Sequence, residues 1–175
     1  NELAEELKAS YPNVYLYGEG WKMATGLESD LLAHQYNAAE LTDYGFFSDN
    51  FRDTIKETIL NKQRLTRSEW TSSMANILTA NVGLETANHF QSPQQAINYT
   101  ECHDNATVFD YFKMEDSNIS LKERLASARL ALHLVLLAQG VPFLHSGQEF
   151  FRHKDLLDNS YNIPDTINRL DWQSL

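Results

Sequence analysis

The chain has 175 residues, 42% of them hydrophobic, which is enough for one ordinary domain with a real core. Its formal net charge of -10 and pI near 4.9 argue against nucleic acid as a partner. The single cysteine, Cys102, excludes an internal disulfide and a cysteine-built zinc site but leaves the redox compartment open, and the six histidines show no H-E-x-x-H spacing.

In chain order, residues 2–9 predict a helix stopped by Ser10-Tyr11-Pro12. This acidic start lacks the basic and apolar regions of a signal peptide. A chain without an initiator Met that opens inside a helix suggests a piece of a longer protein. Residues 13–17 predict a buried strand, and 31–41 a partly helical stretch. Gly45-Phe46-Phe47 predicts a second strand ending at Ser48-Asp49-Asn50. Phe51, Ile55 and Ile59 then mark one face of a helix. A further helix is expected from Ser68, with Trp70, Met74, Ile77 and Leu78 at helical spacing and Gly83 as its end. Ser92-Pro93 precedes a strand over 96–100. Residues 121–138 form the clearest helix, opened by a Ser120/Glu123 capping box and followed by Gly140. Its apolar run at 130–138 is too short to span a bilayer, so no membrane insertion is expected. His133 within it is expected to be a core histidine. Val141-Pro142-Phe143-Leu144 is a fourth short strand.

Strand alternating with helix predicts an α/β fold with a parallel sheet and crossover helices. Four βα units fall short of the roughly 250 residues of a closed (β/α)8 barrel. The pattern fits half a TIM barrel or an open doubly wound sheet. No phosphate-binding glycine motif is present.

Two acidic clusters stand at strand ends. The first is Gly18-Glu19-Gly20-Trp21, where glycines permit a sharp turn and Trp21 offers a flat apolar face. The second is Glu101-Cys102-His103-Asp104-Asn105. Either alone reads equally well as a polar turn, but two in one chain favour chemistry, because barrel enzymes assemble their sites from strand ends. Glycoside hydrolysis needs a carboxylic acid that protonates the leaving oxygen and a second carboxylate that attacks or stabilises. Glu19 beside Trp21, in a partly apolar cleft, suits the acid; Asp104 between His103 and Asn105 suits a group that stays ionised.

The residues resemble the type I pullulanases, the α-1,6-debranching enzymes of the α-amylase superfamily (glycoside hydrolase family 13). Val14-Tyr15-Leu16-Tyr17-Gly18-Glu19-Gly20-Trp21 is similar to their fifth-strand acid segment, and residues 47–56 to the stretch that follows. Residues 97–105 resemble their seventh-strand motif, residues 139–150 the eighth strand and its turn, and residues 159–172 the loop after it. The resemblance covers nearly the whole chain in the family's order. It implies that residues 1–175 are one partial catalytic domain, the C-terminal half of the barrel from about strand five to strand eight, with no second domain.

The resemblance implies Glu19 as general acid/base and Asp104 as transition-state stabiliser. His103 would hydrogen-bond the sugar in the −1 subsite, and Trp21 would stack on the leaving glucan; the bland alternative for Trp21 is a lid on the rim. Tyr161 and Asp165 would face substrate from the last loop. His145, Glu149 and Asp49 would position strand ends through hydrogen bonds. The family's nucleophile, an Asp in a segment resembling G-F-R-F-D, is absent from this sequence, as is its Y-N-W-G-Y motif. The implied parent is a retaining hydrolase of α-1,6 bonds in pullulan, glycogen or amylopectin, and this chain alone would be inactive. An isoamylase, an α-1,4-acting relative or a non-catalytic glucan-binding fragment are the alternatives. The expected partners are an α-glucan and the missing half of the barrel, with self-association of the lone chain. No cofactor or metal is called for, although calcium is open for a longer parent. Secreted, surface-bound and cytoplasmic placements all remain open.

Overall fold

The computed structural model describes residues 2–80, 82 and 90–174. Helix α1 (Glu2–Ser10) leads to β1 (Leu16–Gly18), and β2 (Tyr44–Phe47) is followed by α2 (Asp49–Leu60) and α3 (Arg67–Leu78). After β3 (Ala96–Asn98) come α4 (Val108–Glu115) and α5 (Leu121–Leu137), then β4 (Val141–Pro142) and the single-turn α6 (Asp165–Asn168). The four strands form one sheet in the order β1-β2-β3-β4, all parallel, with Tyr17 opposite Gly45, Phe47 opposite Ile97 and Ile97 opposite Val141. The mixed α/β architecture is as the sequence predicts.

Local chemistry sets the helix starts. Ser48 Oγ accepts from the Phe51 amide and Thr107 Oγ1 from the Asp110 amide. Reciprocal capping boxes, Thr66 with Glu69 and Ser120 with Glu123, open α3 and α5. The helix predicted from Ser68 therefore begins one residue earlier, at Arg67, because Thr66 is the residue whose side chain caps it. It ends at Leu78 with Thr79 as cap; Gly83, expected to end it, lies outside the described residues. Residues 31–41 are partly helical, as expected. They fall within and between two 3-10 turns, Ser29–Leu31 and Gln35–Glu40. The third and fourth strands are shorter than predicted, Ala96–Asn98 and Val141–Pro142, although the Phe143 amide still donates to the Asn98 carbonyl at 2.8 Å.

The apolar stripe of α2 does what its spacing dictates: Phe51, Ile55 and Ile59 are buried against Ile77 of α3, Phe112 of α4 and Val135 of α5. Helix α4 was not legible as a periodic segment, yet it supplies Val108, Phe109 and Phe112 to this core. Two expectations are overturned. The first strand is not a buried one: it pairs on one side only, and Tyr15 and Tyr17 are 41% and 60% exposed. His133 is not in the core but on the exposed face of α5, with Leu134 and Val135 turned inward in its place.

Strand register and the alternation of side chains put Tyr15, Tyr17, Phe47, Tyr99 and Phe143 on one face of the sheet. Their rings run in sequence across it. Tyr15 stacks on Tyr17 at 6.0 Å, Tyr17 meets Phe47 at 6.3 Å, and Phe47 makes edge contacts to Tyr99 at 5.2 Å and Phe143 at 5.0 Å. The opposite face sends Phe46 and Ala96 into a second cluster with Ala38, Ala80 and Phe90. Among the described residues no helix is long and apolar enough to cross a membrane.

Gly45 makes the aromatic row possible. Tyr15 lies across it to donate its hydroxyl to the Gln94 carbonyl at 2.7 Å, and a Cβ at position 45 would sit 1.9 Å from that hydroxyl oxygen. Gly45→Ala must expel Tyr15 from the sheet face and should destabilise the chain by about 1–3 kcal/mol. Urea unfolding of the variant checks this; an unchanged midpoint would show that Tyr15 is free to move.

Lys56 makes a second prediction. It is 8% exposed, with its ammonium 4.8 Å from the centre of the Tyr111 ring. Burial first, and then the Arg52 guanidinium one turn away, push its pKa down from 10.5 to about 8. The unfolded chain therefore holds a proton that the folded chain has shed between these two values, so stability rises with pH across that window. Below it the cost is fully present, on the order of 3 kcal/mol. Lys56→Met should raise the urea midpoint near pH 7, and its advantage should fade as the pH passes about 10. A gain that does not change with pH would assign the effect to packing instead.

Candidate active site

All four strands point the same way, so their carboxyl ends share one rim. At the end of β1 the chain turns through Gly18-Glu19-Gly20. Gly20 has φ +75°, and a Cβ there would lie 2.6 Å from the Phe46 ring, so both conformation and space demand glycine. Gly18 has no neighbour within 4 Å of where a Cβ would be, so only one of the two flanking glycines is sterically required. The Gly20 carbonyl accepts from the Gln35 amide at 3.0 Å, which fixes the far side of the turn. Glu19 itself is exposed, so the described residues do not enclose it in the apolar cleft expected around it.

At the end of β3, Tyr99, Thr100 and Glu101 are buried, while His103, Asp104 and Asn105 emerge into solvent. Asn105 adopts φ +60°, a left-handed conformation that asparagine tolerates better than most residues. This turn brings the second acidic cluster to the first. One polar atom each from Glu19, His103 and Asp104 lie within 4.8 Å of one another, and His103 Nε2 stands 3.4 Å from Asp104 Oδ2. Two carboxylates and an imidazole on an open rim can donate and accept protons and hold sugar hydroxyls. The same three donors could meet a metal ion, but exposed on one wall they form no enclosing cage.

The other candidates are placed less closely. Trp21 is half-buried two residues beyond Glu19, its carbonyl accepting from Met23 at 3.0 Å. Tyr161 is 83% exposed, and Asp165 is the exposed first residue of α6. Among the described residues, Asp165 does not join the group formed by Glu19, His103 and Asp104.

Beneath the rim, Asp49, His145 and Glu149 make the hydrogen bonds expected of them, with partners that the sequence did not reveal. Gln35, whose amide holds Gly20, donates its side-chain amide to Asp49 Oδ2 at 3.0 Å. Asp49 Oδ1 accepts from the Tyr99 hydroxyl at 2.7 Å, and Arg52 donates to the same hydroxyl at 2.8 Å. Burial and the Asp49 carboxylate hold the Tyr99 phenol well above its ordinary range. The turn carrying Glu19 is thereby tied to the strand carrying His103 and Asp104.

A second network starts at Glu101, which accepts from the Val108 amide at 2.6 Å and faces His145 Nδ1 at 3.0 Å. Arg152 approaches His145 Nε2 at 3.2 Å and donates to the Asn168 carbonyl at 2.7 Å. A guanidinium can only donate, so His145 must accept at Nε2 and carry its proton at Nδ1, toward Glu101. Glu149 accepts from the Gly147 amide at 3.0 Å, shaping the turn after β4. Burial pushes the Cys102 thiol up, so it is not an activated nucleophile. Asp49, Glu101, His145 and Glu149 were readable as strand-end polar residues; Gln35, Arg52 and Arg152 carried no local signal.

No protein-family model matches the chain. Curated relatives do: it is 39% identical to the pullulanase of Bacillus subtilis (strain 168) over 97% of its own length and 24% of the relative's. It is also 30% identical to the chloroplastic pullulanase 1 of Arabidopsis thaliana, over 91% of this chain and 22% of that protein. The crystal structure of type I pullulanase from B. subtilis complexed with maltose superposes with a TM-score of 0.88 at 36% identity, covering 99% of this chain and 25% of that one. The pullulanase of Paenibacillus barengoltzii in complex with maltohexaose and α-cyclodextrin gives a TM-score of 0.87 at 34% identity, covering 99% and 28%. The chain thus spans about a quarter of the length of the relatives it matches. By sequence and by fold, it belongs to the pullulanases.

Proposed function

We propose that residues 1–175 are the C-terminal half of a (β/α)8 catalytic domain, about strands five to eight, from an enzyme that hydrolyses α-1,6-glucosidic bonds with retention in branched α-glucans. Pullulan, glycogen and amylopectin are the intended substrates. The observation that carries this is the convergence of Glu19 with His103 and Asp104 from separate strand ends, within a chain that matches pullulanases along its whole length. Four parallel strands in sequence order, with one open edge at each end, support the half-barrel. Relatives crystallised with maltose and maltohexaose support an α-glucan ligand.

In this mechanism Glu19 protonates the glycosidic oxygen as an Asp from the upstream half attacks the anomeric carbon. Glu19, now a base, takes a proton from the water that releases the glycosyl-enzyme. Asp104 stabilises positive charge developing on the sugar ring, and His103 holds its hydroxyls. Trp21 stacks on the leaving glucan, while Tyr161 and Asp165 approach from the last loop. No step draws on a cofactor. The upstream half covers the aromatic face and both sheet edges; without it a second copy of the chain does so, less well.

The test mixes this chain with a separately expressed upstream half-barrel from the B. subtilis relative and assays pullulan. Neither piece alone should release sugar; the mixture should, and Glu19→Gln in this chain should lower its rate at least about 100-fold. Hydrolysis by the lone chain, or an active mixture indifferent to Glu19→Gln, would overturn the assignment. Halves that associate yet leave pullulan intact would redirect it to other α-glucans or to glucan binding.

A further inference from the structure

The turn that carries His103 and Asp104 continues through left-handed Asn105 into the peptide unit joining Asn105 to Ala106. This unit is gripped at both ends. Lys154 Nζ donates to the Asn105 carbonyl at 2.5 Å, and the Ala106 amide donates to Asp158 Oδ1 at 3.3 Å. We propose that Lys154 and Asp158 are positioning residues of the candidate site, clamping the Asn105–Ala106 peptide so that the left-handed turn presents Asp104 and His103 toward Glu19. The inference rests on the proposed role of Asp104.

Three observations favour a positioning role. Lys154 is 1% exposed, so its ammonium cannot meet a ligand, and its long stem spans from the segment after β4 to the turn after β3. A left-handed asparagine costs on the order of 1 kcal/mol and persists only where its surroundings fix it. The clamp is also wired into the helical core. The Lys154 amide donates to Asp110 Oδ2 at 2.5 Å, and Asp110 Oδ1 accepts from Arg124 at 2.9 Å. The segment bearing both residues bends through positive φ at Phe151, Asp155 and Leu156, which turns Lys154 and Asp158 to the same peptide.

Taking an ammonium out of water is costly, and burial lowers the Lys154 pKa. Packing alone would therefore tolerate methionine at this position, whereas a clamp would not.

The experiment compares Lys154→Met, Asp158→Ala and Asp158→Asn, each checked for folding by thermal unfolding. In the reconstituted mixture, Lys154→Met and Asp158→Ala should lower kcat about 10- to 100-fold with KM changed less than about twofold. Asp158→Asn keeps an oxygen acceptor for the Ala106 amide and should retain most of the rate. On the chain alone, nuclear magnetic resonance should show the Ala106 amide exchanging faster and the His103 and Asp104 resonances moving in the first two variants but not the third. Unmoved resonances, or Asp158→Asn behaving like Asp158→Ala, would overturn the clamp. The resonance arm needs no activity, so it decides even if pullulan is never cut, an outcome that counts against the function instead. Should Lys154→Met fail to fold, the two Asp158 variants carry the test.

Discussion

Parallel pairing in sequence order is the constraint from which the rest follows. Parallel strands need a crossover between each pair, and those crossovers supply the helices that bury Phe51, Ile55, Ile59 and Val135. Because every strand runs the same way, each chain turn after a strand lands on the same rim. That is why Glu19, Asp49, Asp104 and His145, up to 126 positions apart in the sequence, come to one edge of a sheet whose strands are only two to four residues long. Reversing any one strand would carry its acid to the opposite side of the molecule.

Much of this was legible in the sequence, for identifiable reasons. The stripe of α2, the capping box of α5 and the glycine–acid–glycine turn are local patterns, and local patterns survive in a linear text. Glu19 and Asp104 stood out because each follows an apolar strand-like run. Their mutual approach could only be inferred from the strands being parallel. The first strand was misjudged because a run of apolar residues does not distinguish burial on two faces from exposure on one: Tyr15 and Tyr17 look the same in either case. His133 was misjudged for the converse reason, since an apolar helix has an outward side too, and a single histidine can occupy it.

The networks were illegible for a different reason. Gln35, Tyr99, Arg152 and Lys154 gain their meaning from partners 14 to 50 positions distant, with no periodicity to announce them. Two kinds of stabilisation therefore operate here. Apolar contacts among the helices tolerate change in identity if volume is kept. The polar contacts under the rim tolerate little, because removing one partner strands another buried group. The rim is the more specified part of the molecule, although its outermost residues are open to solvent.

That openness bears on the chemistry. A carboxylic acid that must deliver a proton near neutral pH works best where its charged form is disfavoured, by burial or by a nearby negative charge. The sequence placed Trp21 beside Glu19 as the source of such burial, yet the turn leaves Glu19 in water. The chain contributes a scaffold that fixes where Glu19 and Asp104 stand. On the proposed function, desolvation must come from whatever covers the aromatic face and the rim. Positioning and water exclusion would then be divided between two parts of the catalytic domain: the Gln35–Asp49–Tyr99 and Glu101–His145–Arg152 networks hold the geometry, and the covering part keeps water out.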